Sequence, residues 1–281
     1  MDLDRRQFVL GLLGAGITLG AASCTSASRG SLAASTEPVD SAVATGSSTT
    51  AASTSAAVAT TSSSPTTAPP PTSPPTAPPP LGAARYVSRG STASKRVALS
   101  FHTEGTPTQV GHLLDMAKTL EVPLTMLIVG KWLDANRDLG KRIADAGHDY
   151  GNHTYSHLSL PDQKRDVVAT EITRCADLLR TVTGTSGKWF RPSGSNSTTT
   201  LINEEAGKAG YPIVLGFDTD PVDYDDPGSA VVKSRVVGGI QAGSIVSLHA
   251  QHQGTLDVFE SMVAAIRDKG FTLVRASDIV S

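Results

Sequence analysis

The sequence predicts an α/β domain, a parallel sheet wound with helices into a distorted (β/α) barrel of about seven strands, preceded by a disordered tether. Three observations predict it. The composition changes near residue 84, from Ser, Thr, Ala and Pro to an ordinary globular mixture. The remaining chain, about 200 residues, suffices for one sizeable core. Within it, short apolar runs alternate with helix-period patterns, and repeated strand–helix units call for parallel pairing with right-handed crossovers. In such a barrel the chemistry belongs at the C-terminal ends of the strands.

The elements follow in order. Val97 to Phe101 reads as a strand and Val110 to Leu120 as a helix. Leu124 to Val129 is a second strand, followed by a helix ending near Ala146-Gly147. A strand leads to Asn152, and a long helix runs from about Gln163 to Val182. Lys188 to Arg191, Ile213 to Phe217, Ser244 to Leu248 and Phe271 to Val274 are further strands, with helical segments between most of them. On the long helix, Val168, Ile172, Cys175, Leu179 and Val182 recur on one face, which makes Cys175 a core residue.

Composition narrows the function. The 281 residues carry 26 acidic and 24 basic side chains, a formal net charge of -2, so nothing electrostatic points to nucleic acid. Two cysteines, Cys24 and Cys175, cannot form a disulfide framework. No segment has the roughly 20 apolar residues of a membrane span, which excludes a multispan protein.

Residues 1–23 have the shape of an export signal, a charged start followed by small and apolar residues from Phe8 to Ala22. Arg5-Arg6 followed by Phe8 resembles a twin-arginine signal. Ala21-Ala22-Ser23-Cys24 resembles a bacterial lipobox, in which Cys24 becomes the lipidated first residue. Residues 24–83 are Ser-, Thr-, Ala- and Pro-rich and cannot bury enough surface to offset their ordering entropy. The expectation is a lipoprotein at the outer face of the cell membrane, held through Cys24 with its domain, residues 84–281, on a tether in the cell envelope.

The candidate chemistry collects at predicted strand ends. His153-Thr154-Tyr155-Ser156-His157 places two imidazoles four residues apart, a spacing that allows them to share a metal. Other strands end in Ser100-Phe101-His102-Thr103-Glu104-Gly105, in Arg191-Pro192-Ser193-Gly194, in Asp218 to Tyr224, and in Leu248-His249. Their convergence on one rim points to an active site more strongly than any single motif does.

In this order the motifs resemble those of the polysaccharide deacetylases, the NodB homology domain or carbohydrate esterase family 4. The likeness covers about residues 95 to 280. His153 to His157, with its lead-in Gly147 to Asn152, matches the metal-binding second motif. Arg191-Pro192 resembles the third, Asp220 to Tyr224 the fourth (Asp-x-x-Asp-Trp), and Leu248-His249 the fifth. The resemblance implies a hydrolase that removes N-acetyl, or O-acetyl, groups from a cell-envelope polysaccharide such as peptidoglycan. It implies a divalent metal, zinc first among them, on His153 and His157, with metal-activated water as the nucleophile. It implies oxyanion stabilisation near Arg191, His249 as the acid that protonates the leaving amine, and Asp220 as the carboxylate that accepts a hydrogen bond from His249.

The first motif departs from the family's Thr-Phe-Asp-Asp-Gly. Aligned on Phe101, His102 stands at the general base and Thr103 at the metal ligand; aligned on Gly105, Thr103 and Glu104 do. Glu104 has the donor type and reach of a third ligand. His102 could serve as base or as a third nitrogen ligand. The third motif is also shortened, with Ser193-Gly194 in place of Pro-Tyr-Gly, and Tyr224 replaces Trp. The alternative to a rewired deacetylase is a degenerate relative that binds glycan without cleaving it.

Overall fold

A computed structural model describes residues 82–281; the export-signal motifs, Cys24 and nearly all of the expected tether lie outside the described residues. The elements are β1 (Arg85–Val87), β2 (Arg96–His102), α1 (Pro107–Thr119), β3 (Thr125–Ile128), α2 (Gly130–Ala135), α3 (Arg137–Asp145), β4 (Asp149–Asn152), α4 (Arg165–Thr183), β5 (Trp189–Phe190), α5 (Thr200–Lys208), β6 (Ile213–Leu215), α6 (Ser229–Gly239), β7 (Ile245–His249), α7 (Gln253–Asp268) and β8 (Thr272–Val274).

All the strand ladders are parallel, in the order β1-β6-β5-β4-β3-β2-β7, with β8 also on β2. This is the predicted α/β architecture, with eight strands rather than about seven. Among the described residues no ladder closes the sheet between β6 and β7. One parallel bridge, Thr219 to Val246, joins the segment after β6 to β7, and Ser247 N donates to Thr219 O at 2.9 Å beside it. A second, antiparallel bridge joins Arg89 after β1 to Ser244 before β7, so this edge is met by isolated bridges and not by a ladder.

Local chemistry accounts for most boundaries. Helix α1 starts at a capping box, with Thr106 accepting from the Gln109 backbone while the Gln109 side chain accepts from Thr106 N, and Pro107 follows at the first position. Helix α4 ends at Gly184, whose φ of 86° suits only a residue without a Cβ. The single helix expected before Gly147 is two helices. Asn136, at φ -134° and ψ 47°, leaves helical geometry, and its side chain donates to Trp132 O at 2.8 Å. Strand β1 was not foreseen; three residues carry too little pattern to stand out.

The face predicted for α4 is the buried one. Val168, Ile172, Cys175 and Leu179 are fully buried and Val182 partly so. Burial pushes the Cys175 thiol well up, as an inert core cysteine requires. The largest apolar cluster packs α1 and α7 against β2, β3 and β7, with Phe101 and Phe259 edge to face at 5.9 Å. Register aligns the rim. His102 on β2 pairs with His249 on β7, and Asn152 on β4 pairs with Phe190 on β5, so His153 and Arg191 emerge side by side.

Phe259→Ala should lower the unfolding free energy by about 3–5 kcal/mol, read by denaturant titration, because it empties a fully enclosed aromatic site. A loss below about 1 kcal/mol would contradict this view of the core.

Candidate active site

Six of the seven side chains singled out in the sequence, His102, Glu104, His153, His157, Asp220 and His249, line one cavity of about 540 Å³ at the C-terminal rim. The seventh, Arg191, lies behind its wall, 1% exposed, against His102.

The pair His153 and His157 is set by its loop. His153 Nδ1 donates to the Arg191 carbonyl at 2.9 Å, which leaves its Nε2 as a lone pair. His157 Nδ1 faces Glu104 Oε1 at 3.0 Å and donates to that carboxylate, so in the neutral ring its Nε2 is a lone pair too. The two Nε2 atoms face each other at 3.2 Å. Two lone pairs at that distance repel unless a proton or a cation lies between them. Burial, reinforced by His157, pushes the His153 pKa well below the ordinary value, so the His153 Nε2 is the accepting partner of whatever lies between them. Two nitrogens on a tetrahedral zinc, each about 2.0–2.1 Å from it, stand about 3.3 Å apart, so the pair fits a cation. Among the described residues no set of three His, Cys, Asp or Glu side chains converges as a metal-holding group.

Glu104, expected as the third ligand, is placed on the other nitrogen of His157, as an orienting carboxylate. The turn that carries it is tight. A Cβ on Gly105 would meet the Ala250 carbonyl oxygen at 2.9 Å, and Trp132 Nε1 donates to Gly105 O at 2.7 Å. Thr103 is fully buried, and its hydroxyl accepts from Val129 N. It is committed to the fold.

His102 corrects two expectations. A guanidinium only donates, so the 3.2 Å contact from Arg191 Nη1 makes His102 Nε2 an acceptor and puts the proton on Nδ1. That Nδ1 is buried without a partner. Burial first, then the neighbouring His153, His249, Arg191 and His157, hold the ring well below its ordinary pKa. Its lone pair is therefore engaged, and neither general base nor metal ligand suits this geometry. Arg191 also donates to the Leu215 and Gly216 carbonyls, at 2.8 and 2.9 Å. Burial lowers its pKa to about 9.

The partner of His249 is Asp223, not Asp220. His249 Nδ1 lies 2.7 Å from Asp223 Oδ1, and Asp223 Oδ2 accepts from His249 N and from the Thr255 hydroxyl. Burial alone would raise the Asp223 carboxyl, but the bonds from His249 and Thr255 outweigh it and the pKa falls. Asp220 instead turns back, its Oδ1 accepting from Val222 N at 2.8 Å, while still lining the cavity. The signal for Asp223 was its place directly before Tyr224, where the fourth motif has its second aspartate. Tyr224 stands edge-on to His249 at 5.5 Å and is 48% exposed at the cavity mouth.

Asp223→Asn should destabilise the protein at neutral pH. The wild-type advantage is present above the unfolded carboxyl pKa near 4 and is lost as pH falls through the lowered folded value. Urea unfolding from pH 7 to 3 should show the two proteins converging; a pH-independent gap would contradict the ion-pair account.

Comparison with known proteins matches this geometry to a family. Residues 89–214 match the family model described as polysaccharide deacetylase. A peptidoglycan-N-acetylglucosamine deacetylase of Bacillus cereus is 26% identical over 193 residues, covering 67% of this chain and 70% of that protein. The uncharacterized protein YlxY of Bacillus subtilis is 25% identical over 60% of this chain, which spans about half (52%) of YlxY. A solved CE4 family pseudoenzyme from Bacillus anthracis shares the fold, with a TM-score of 0.65 at 22% identity over 70% of this chain and 69% of that one. The parallel sheet agrees with these matches, and residues 89–214 are similar to the polysaccharide deacetylase family over that span.

Proposed function

We propose that the domain deacetylates an N-acetylated, or O-acetylated, cell-envelope glycan of the peptidoglycan type in a metal-dependent reaction, as an exported lipoprotein anchored through Cys24. One observation carries the chemical part: two histidine lone pairs 3.2 Å apart open into the same cavity as the His249–Asp223 pair. The deacetylase relatives support the substrate class, and the sequence motifs before residue 24 support export.

A divalent cation such as zinc, when bound between His153 and His157, supplies a Lewis acid and lowers the pKa of a bound water. Hydrolysis adds water across the amide; the C–N bond breaks to give acetate and an amine that must take up a proton. His249 donates it, and Asp223 stabilises the imidazolium form from behind. The Arg191 carbonyl keeps His153 in the tautomer that turns Nε2 toward the cavity. Tyr224 offers an exposed ring face at the mouth for a sugar.

A second reading, glycan binding without cleavage, is favoured by the first motif. With His102 engaged by Arg191 and Thr103 committed to the fold, no side chain there is free to take the proton from water.

Acetate release from peptidoglycan and from N-acetylglucosamine oligomers, with zinc added, separates the two. The first reading expects release that falls about 10²–10⁴-fold in His249→Ala. It also expects His102→Asp, which gives the buried Arg191 a carboxylate partner and the site a base, to accelerate release at least tenfold. Glycan bound with no acetate released by the wild-type chain would establish the second reading.

A further inference from the structure

Between the two histidines the backbone takes a costly path. Thr154 and His157 sit at φ 65° and 60°, the left-handed region that side-chain-bearing residues avoid. Something outside the loop must hold it there. From one side, the N-terminus of α2 does so, with Gly130 N donating to Thr154 O at 2.9 Å and Lys131 N to Tyr155 O at 2.7 Å. Gly130 permits this approach, since a Cβ there would lie 2.5 Å from Tyr155 Cδ2. From the other side comes Glu171, on the inner face of α4 and 8% exposed. Its Oε2 accepts from Tyr155 N at 3.0 Å and Ser156 N at 2.7 Å, and its Oε1 from the Ser156 hydroxyl at 2.6 Å.

A carboxylate buried this deeply without compensation is strongly destabilising, so a helix face built of Val168, Ile172 and Cys175 has no packing reason to carry one. Among the described residues no Lys or Arg forms an ion pair with it. Arg174, one turn on, goes instead to Tyr155, donating to its hydroxyl at 3.0 Å and stacking over its ring at 3.6 Å. All three partners of Glu171 lie in the segment that joins His153 to His157.

We infer that Glu171 is a positioning residue. Its carboxylate caps the turned backbone of residues 155 and 156 and so holds His157 Nε2 against His153 Nε2. It touches neither imidazole and acts through the loop. The inference deepens the metal reading of this site and rests on it for its effect on a cation, while the effect on the loop stands without any cation.

The test uses the full chain, stripped of metal, in three forms: wild type, Glu171→Gln and Ser156→Ala. Glutamine keeps the shape but exchanges the charged acceptor of both amides for a weaker neutral one, and turns an NH2 toward the Ser156 hydroxyl, which must then accept rather than donate. Zinc affinity, read by competition with a chromogenic chelator, should weaken about 10–100-fold in Glu171→Gln. In Ser156→Ala, which loses one of three bonds, it should weaken several-fold. Hydrogen exchange of the Tyr155 and Ser156 amides should accelerate in metal-free Glu171→Gln while amides in the core strand β2 keep their protection. Unchanged zinc affinity in a folded Glu171→Gln protein overturns the inference; if that variant does not fold, unchanged affinity in Ser156→Ala does so. If the wild-type chain takes up no zinc, the metal reading fails on its own, and amide exchange decides the positioning role: faster exchange at 155 and 156 alone upholds it, unchanged exchange overturns it.

Discussion

Arg191 is the residue through which the rim is assembled. It leaves β5 at the level where β4 gives way to His153, and its own carbonyl takes the His153 Nδ1 proton. Its guanidinium reaches two carbonyls after β6 and the ring of His102 at the end of β2. Four strands are thus tied at their C-terminal ends by one residue, β6 and β2 to its own β5 through its side chain and β4 through its carbonyl. The guanidinium can only donate, so His102 must accept; the backbone carbonyl can only accept, so His153 donates through Nδ1 and presents its far nitrogen to the cavity.

That polarity bears on how the site departs from the pattern of the polysaccharide deacetylases it resembles. A buried guanidinium facing an aspartate is a charge pair; here it faces a neutral imidazole, and burial lowers its pKa to about 9. The carboxylates of the region stand away from that point. Glu104 stands behind His157, Asp223 behind His249, and Glu171 behind the loop. Each orients a group that touches the cavity. The arrangement retains two histidines able to share a cation and a histidine–aspartate acid, while the position of the base has lost its free lone pair. The paired histidines and the position of the base are therefore separable parts of the site.

Much of this was legible in the sequence because it is local. Two histidines four residues apart after a strand, and repeated strand–helix units, are short-range patterns, and the parallel sheet and the shared cavity follow from them. The partner of His249 was not legible in the same way. Asp220 and Asp223 lie on one short segment, and the choice between them depends on Val222 and Asp226 adopting left-handed backbone around a single 3-10 turn. The role of Glu104 depended on which nitrogen of His157 it meets, a matter of side-chain geometry. Glu171 left no local trace, since it lies beside the unbroken stripe Val168, Ile172, Cys175 and Leu179 and its burial depends on the loop packed against it. Strand β1 and the break at Asn136 rest on too few residues for periodicity to register.

The central claim is that His153 and His157, and not His102, offer their Nε2 lone pairs to one cation. Nitrogen-15 NMR of the histidine rings in the full chain, before and after one equivalent of zinc, tests it most directly. The account predicts metal-type shifts at the Nε2 of His153 and His157, with His102 remaining a neutral Nδ1–H ring in both states. A zinc-bound His102, or no change at either of the other two rings, would contradict it.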